Sequence, residues 1–218
     1  MHAGWLLVIG GVVGVGGLSA QTVDPGVQVV KRASGAYQVL SSFRADFTQH
    51  FDDRMLDLPE SHGTLYQEGK NHFAMRFTDP KGDAIVVDGT RLWMYLPSSA
   101  PGKVIGYPLQ NHPTYATNLL GEFLDNAADR YRISYVRAEP IDGHMTDAVT
   151  MVPTASDMPF RSATIWFDRE SNLPRKLDIE EQRDHRRILQ LKNIQINLSL
   201  PPQTFICSPP KGTTVVLQ

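Results

Sequence analysis

The chain has 218 residues, 41% of them hydrophobic, which is enough for one sizeable core and, by length, a single domain. Its 21 Lys and Arg against 23 Asp and Glu leave a net charge of −2. That balance excludes the basic excess of a nucleic-acid binder or of a protein drawn to an anionic membrane surface, and fits a neutral or apolar partner better.

The first twenty residues, MHAGWLLVIGGVVGVGGLSA, hold no Lys, Arg, Asp or Glu. The apolar run from Trp5 to Leu18 is short and Gly-rich for a membrane span, and it ends in Ser19-Ala20, small residues suited to a signal peptidase. Residues 1–20 are therefore expected to be a secretory signal peptide, cleaved near Ala20, with an uncleaved anchor as the alternative. Residues 21–218 then form one exported domain. Leu18-Ser19-Ala20 has the form of a lipoprotein acylation signal, but Gln21 stands where the cysteine would be. Cys207, the only cysteine, has no partner for an internal disulfide.

Asp24-Pro25 offers a helix start, and Val27, Val30, Ala33, Tyr37 and Leu40 recur at helical intervals behind it. From Phe43 the period changes from about four to two. Phe43, Ala45 and Phe47 fall on one side of an extended strand, and Arg44, Asp46 and Thr48 on the other. Further strands are expected at Gly63–Glu68, His72–Thr78, Asp83–Asp88, Thr90–Leu96 and Lys103–Leu109. After an interruption come Tyr131–Glu139, Ala148–Pro153, Ser162–Arg169, Pro174–Gln182, Arg187–Asn197 and Thr204–Ser208. Asp88-Gly89 is a strong hairpin signal, because Gly accepts the positive φ such turns require, and Ser171-Asn172 marks a second turn. Short connections imply an antiparallel meander. The interruption, Thr114–Asp125, reads as a helix with Leu119, Leu120, Phe123 and Leu124 clustered on one face.

Catalytic patterns are weak by comparison. The seven histidines, at 2, 50, 62, 72, 112, 144 and 185, lack metal-site spacing. Cys207 lies in an apolar run and reads as an inert core residue. No nucleophile elbow or phosphate-binding glycine loop follows an expected strand. Asp178 and Glu180 share a strand face pointing to water, and the stretch from Arg183 to Arg187 reads as a solvated hairpin tip. What remains is an excess of apolar side chains for a one-sheet protein. Phe43, Phe47, Leu65, Phe73, Met75, Phe77, Ile85, Val87, Trp93 and Tyr95 are expected to line the inner face of the sheet. They form either a core filled by the helices or a partly vacant cavity that takes a lipid.

Ser42–Gln49 reads SFRADFTQ; Gly63-Thr64-Leu65, then Pro80, then Ile85 to Gly89 follow, with Leu92-Trp93-Met94-Tyr95 closing the hairpin. Thr204-Phe205 and Pro209-Pro210-Lys211-Gly212 stand near the end. This order, from about Val23 to Val216, resembles the LolA family of periplasmic outer-membrane lipoprotein carrier proteins. The resemblance implies a mainly β fold with α: an unclosed antiparallel β-barrel of about eleven strands, with α-helices forming a lid over the concave face. It implies a periplasmic, monomeric chaperone without catalytic activity, cofactor or metal. Such a carrier takes acylated lipoproteins from an inner-membrane release complex, an ABC transporter, and passes them to an outer-membrane lipoprotein receptor. A lipid-sensing or protein-binding adaptor on the same fold is the alternative. Leu119, Leu120, Phe123 and Leu124 fall in the lid region, where they would close over acyl chains. The family carries Arg-Pro after the strand that begins at Gly63, an arginine implicated in holding the lid; this chain has Gly69-Lys70 there. Lys70 and Arg76 are the candidates to replace it, although strand alternation turns Arg76 outward.

Overall fold

The computed structural model describes residues 24–53, 56–57, 59–109, 118–182 and 185–218. The expected signal peptide, the start of the expected 114–125 helix, and Arg183-Asp184 of the expected hairpin tip lie outside the described residues.

The chain opens with α1 (Pro25–Gln38), whose first turn is capped by Asp24, and Pro25 sits where a missing N–H costs nothing. Two runs of strands follow. The first holds β1 (Ser42–Asp53), the short β2 (Leu56–Asp57), β3 (Ser61–Glu68), β4 (His72–Asp79), β5 (Ala84–Asp88), β6 (Arg91–Tyr95) and β7 (Lys103–Pro108). Helices α2 (Leu119–Leu124) and α3 (Ala127–Arg130) separate it from the second. The second holds β8 (Tyr131–Ile141), β9 (His144–Pro153), β10 (Phe160–Asp168), β11 (Pro174–Glu181) and β12 (Arg186–Ile196). A short 3-10 turn at Pro202–Phe205 and β13 (Thr214–Leu217) end the chain.

All the described strands belong to one sheet, ordered β13-β7-β6-β5-β4-β3-β1-β12-β11-β10-β9-β8, with β2 paired to β1. The sheet is open: β13 and β8 are its two edges. Two antiparallel meanders meet at a seam where β1 pairs with β12, Phe47 facing Leu191. In sequence α2 and α3 lie between β7, next to the β13 edge, and β8, the opposite edge.

Strand alternation sorts side chains onto two faces. On the inner, helix-covered face, Ala45, Leu65, Met75, Ile85 and Met94 form one row across five strands. In the second meander Leu189, Leu177, Ile165, Val149 and Tyr135 form another row, which meets β1 at Gln49. These residues pack with Val29, Val30, Ala33 and Tyr37 of α1 into one large core. Gly63 belongs to this face because nothing larger fits: a Cβ there would lie 2.2 Å from the Arg76 carbonyl oxygen and 2.8 Å from the Phe47 ring. The Asp88-Gly89 turn forms between β5 and β6, Gly89 taking φ 93°. Partial burial pushes the Asp88 carboxyl up, but hydrogen bonds from Trp93, Thr90 and Arg91 outweigh this and hold it below its ordinary range.

The outer face carries a second, smaller cluster: Ala74, Ala84, Val86 and Phe205, with Tyr66, Trp93, Leu200 and Cys207 against them. It is covered by the C-terminal strap. The expected strand Thr204–Ser208 is instead the end of the 3-10 turn and residues outside any ladder: the Thr204 and Ile206 N–H groups turn back to the carbonyls of Pro201 and Gln203. Arg76 turns outward as alternation requires, donating to the carbonyls of Gln203 (3.2 Å), Thr204 (2.8 Å) and Ile206 (3.0 Å). Burial pushes the Cys207 thiol up, as suits a packed side chain. β13 then pairs parallel with β7, a departure from the antiparallel pairing of the other described strands.

Candidate functional site

Of the ten residues expected on the inner face, Phe43, Phe47, Leu65, Phe73, Met75 and Val87 are fully buried there, and Phe77 and Ile85 pack partly buried against them. Trp93 and Tyr95 do not belong to this group. Trp93 lies in the outer cluster, and Tyr95 pairs with Ala84 of that same cluster, whereas Leu92 and Met94 point inward. The strand Leu92-Trp93-Met94-Tyr95 is apolar on both sides, so its own pattern cannot assign a face; the strap's Phe205 and Leu200 decide it by giving Trp93 an apolar partner outside.

Leu119, Leu120, Phe123 and Leu124 all lie within α2, and all six residues of this helix are buried. Helix α2 is held between α1 and the inner face, so no side of it meets water. Its leucines and Phe123 meet Ile165, Phe167, Pro174 and Leu177 with no space left for even a water between them. Phe123, Tyr131 and Phe160 form an aromatic group with ring centroids 5.4 to 6.2 Å apart. The apolar interior is thus filled by the helices under α2. Vacancy appears at one end, in a cavity of about 240 Å³ lined by Tyr37, Leu40, Phe43, Gln67 and Leu120, with Lys70 at its rim.

Polar contacts fasten α2 at both ends. At its start Asn118 caps the helix, Oδ1 accepting from the Gly121 N–H at 2.8 Å. The same oxygen accepts from Gln67 Nε2 of β3 at 2.9 Å, and Tyr37 of α1 joins through its hydroxyl. At its other end the Ser34 hydroxyl donates to the Leu124 carbonyl at 2.8 Å. Lys70 reaches Asp125 at 3.2 Å, so the basic residue at the position that departs from the expected Arg-Pro does touch the end of α2. Glu122 is 1% exposed, an anion buried inside the helix layer. Arg130 pairs with its carboxylate, and the Tyr131 hydroxyl donates to it at 2.8 Å. Burial, reinforced by Glu122, pushes the Tyr131 phenol well above its ordinary range, so it stays a donor.

Composition gave no sign of Glu122 as a buried group. Gln67 was legible: alternation through Gly63 and Leu65 puts it on the inner face, between Phe43 and Phe73 in the paired row. Asp178 and Glu180 lie on the outer face, where Arg186 grips Asp178 through two bonds of 2.7 and 2.5 Å and Ser162 donates to Glu180. Among the described residues no group of three or more His, Cys, Asp or Glu is placed to hold a metal ion, and no helix is long and apolar enough to cross a membrane.

The sequence profile of the family described as outer membrane lipoprotein carrier protein LolA matches residues 38–208. The chain belongs to the LolA family. An outer-membrane lipoprotein carrier protein of Salmonella paratyphi B is 28% identical to this LolA-family chain over 182 residues, 81% of each chain. Among solved structures, a conserved protein of Thermus thermophilus is similar with a TM-score of 0.58 at 11% identity, covering 89% of this chain and all of that one. MucB is similar with a TM-score of 0.52 at 14% identity, over 88% of this chain and 65% of its own. At these identities the two structures show a shared fold.

Proposed function

We propose that this chain is a periplasmic carrier that shields the acyl chains of lipoproteins between its inner sheet face and α2, and performs no covalent step. The observation that carries the reading is the closed state itself. An apolar face spanning both meanders is covered by α1 and the six-residue α2, and α2 is tied down by a few polar contacts at its two ends. The similarity to the Salmonella outer-membrane lipoprotein carrier protein supports the same reading.

Magnitudes explain why a filled interior suits a carrier. Burying one long acyl chain yields on the order of 10 kcal/mol at roughly 0.8 kcal/mol per CH₂. Lifting α2 exposes Leu119, Leu120, Phe123 and Leu124, at roughly 1.5 to 3 kcal/mol each. Loading therefore exchanges one apolar contact for another, and the net affinity stays low enough for handover. The lipoprotein would arrive from an inner-membrane release complex and leave to an outer-membrane receptor.

The test is to mix purified protein with a triacylated lipoprotein released from membranes and follow it by native mass spectrometry. A soluble 1:1 complex, absent with the unacylated form of the same cargo, supports the carrier. Binding that ignores acylation favours the second reading, a protein-binding adaptor. That reading draws on MucB, whose structure is also described in complex with MucA.

A further inference from the structure

The inner face has two unlike ends, and β1 runs from one to the other. At the Phe43 end Ile196 of β12 stands opposite Phe43, with Ile194 packed on the core beside them. The Ser41 N–H donates to Asn197 Oδ1 at 2.9 Å and holds the turn after α1 next to this end of β12. Apolar surface reaches water here: Ile196 is 42% exposed, and Val39 of that turn 77%. At the other end of β1 the same face turns polar. Gln49 pairs with Ser61 of β3, and Arg187 of β12 stands opposite Phe51. Arg187 lays its guanidinium over the Phe51 ring, 4.7 Å from the centroid, and pairs with Glu181 of β11 at 2.9 Å. The two charged side chains are 25% and 17% exposed, so they are partly desolvated at the edge of a hydrocarbon layer. They stand on strands of the sheet, and their place does not depend on where α2 lies.

We infer that the Arg187–Glu181 pair is a stop that sets the length of acyl chain this protein takes, the methyl end resting against it and the linked end left at the Val39–Ile196 mouth. The inference rests on the carrier reading and adds the direction and the limit of binding. Between the two ends the inner face is lined by Ala45 and Phe47 of β1 and by Leu191 and Leu189 of β12, all buried and apolar. From Phe43 to Gln49 that stretch is roughly 20 Å of strand at about 3.4 Å per residue, close to the length of an extended palmitoyl chain. Each CH₂ laid along it gains about 0.8 kcal/mol. A longer chain has to part Arg187 from Glu181 or strip their remaining water, which costs several kcal/mol per ion. One more CH₂ does not offset that, so the gain ends at the pair.

Saturated monoacylglycerols from decanoyl to eicosanoyl test the stop, since their uncharged heads give Arg187 no anion to attract. Their dissociation constants follow from displacement of a fluorescent acyl probe, each lipid below its micelle concentration. The cost of lifting α2 is common to the series and cancels in the ratios. The wild-type chain should bind about fourfold tighter for each CH₂ added up to palmitoyl, and the stearoyl and eicosanoyl lipids should add less than about twofold in all. Glu181→Leu combined with Arg187→Met removes both charges together, so neither is left unpaired, and the gain should then continue through eicosanoyl. A plateau that stays at palmitoyl in the double variant overturns the inference, as does a wild-type series without a plateau. A second measurement needs no variant. Monopalmitoylglycerol with a diazirine at its methyl end should label residues 47–51 or 187–191 of the wild-type chain, and with the diazirine beside the ester it should label residues 39–43 or 194–198. The reverse pattern overturns the inference and leaves the carrier reading intact. If the wild-type chain binds none of these lipids, the inference falls, and the acylated-lipoprotein titration decides separately whether the carrier reading falls with it.

Discussion

Asn118 and Gln67 meet at 2.9 Å across the gap between α2 and β3, and one side-chain oxygen of Asn118 both caps the helix and receives the strand's amide. Removing it breaks two tethers at once. Asn118→Ala should weaken the closed position of α2 by about 1–2 kcal/mol, the usual range for a lost N-cap. Hydrogen exchange of the amides at 121–125 should then speed by about tenfold, while the strands of the central sheet keep their protection.

Lys70 and Asp125 form a tether of a different kind. Lys70 is 71% exposed, and an ion pair in water contributes about 0–1 kcal/mol. Lys70→Ala should change exchange in α2 by no more than about fivefold, and the difference should vanish in about 0.5 M salt, where the screening length shrinks to roughly 4 Å. A large effect would place the main fastening on the surface instead of at Asn118.

Glu122 and Arg130 make the costly pair. Glu122→Gln takes the charge from the buried member of the pair and leaves Arg130, 32% exposed, free to turn toward water, so the loss should be about 1–3 kcal/mol. Glu122→Leu combined with Arg130→Met should recover most of that loss in urea denaturation, since the desolvation cost of both charges disappears together. Failure to recover would mean that the Tyr131 bond to Glu122 contributes more than the ion pair.

How much of this was legible in the sequence depends on what decides each feature. Period two placed Phe43, Phe47 and Leu65 on the inner face because their strands alternate with charged and polar residues. Trp93 and Tyr95 escaped that reading because their strand is apolar on both sides, and the partner that claims Trp93 lies more than a hundred residues later at Phe205. The run Thr214–Leu217 carries β-branched residues, but a four-residue strand at the chain's end becomes one only by finding the open edge of β7. Glu122 could not be read at all: its burial follows from α2 being held between α1 and the sheet, a matter of layer packing and not of helical period.

Asp168 predicts an acid dependence. Burial pushes its carboxyl up, but the Ser171 and Glu170 amides and Arg175 outweigh this, and the group sits below its ordinary range when folded. A depressed carboxylate contributes stability that is present above the unfolded pKa of about 3.9 and lost as pH falls through the lower folded value. Asp168→Asn should therefore lower the melting temperature at pH 7 and show a shallower decline than the wild-type chain below about pH 4.

Arg76→Ala should free the strap without unfolding the sheet. Three carbonyls of the strap lose their donor, and the outer cluster around Phe205 is left to hold by packing alone. Limited trypsin digestion should cut at Lys211 at least tenfold faster, with the fragment through β12 remaining folded by circular dichroism, in line with local opening of a weakly held end.

The seam between β1 and β12 joins positions such as Phe43 and Ile196, so the middle of the sheet waits until most of the chain has emerged. Until β12 is available, β1 presents a bare row of donors and acceptors beside an unfinished hydrophobic layer, the kind of surface that invites sticking to neighbours. A piece that stops short of Ile196 leaves part of that central ladder unpaired and is no smaller complete unit.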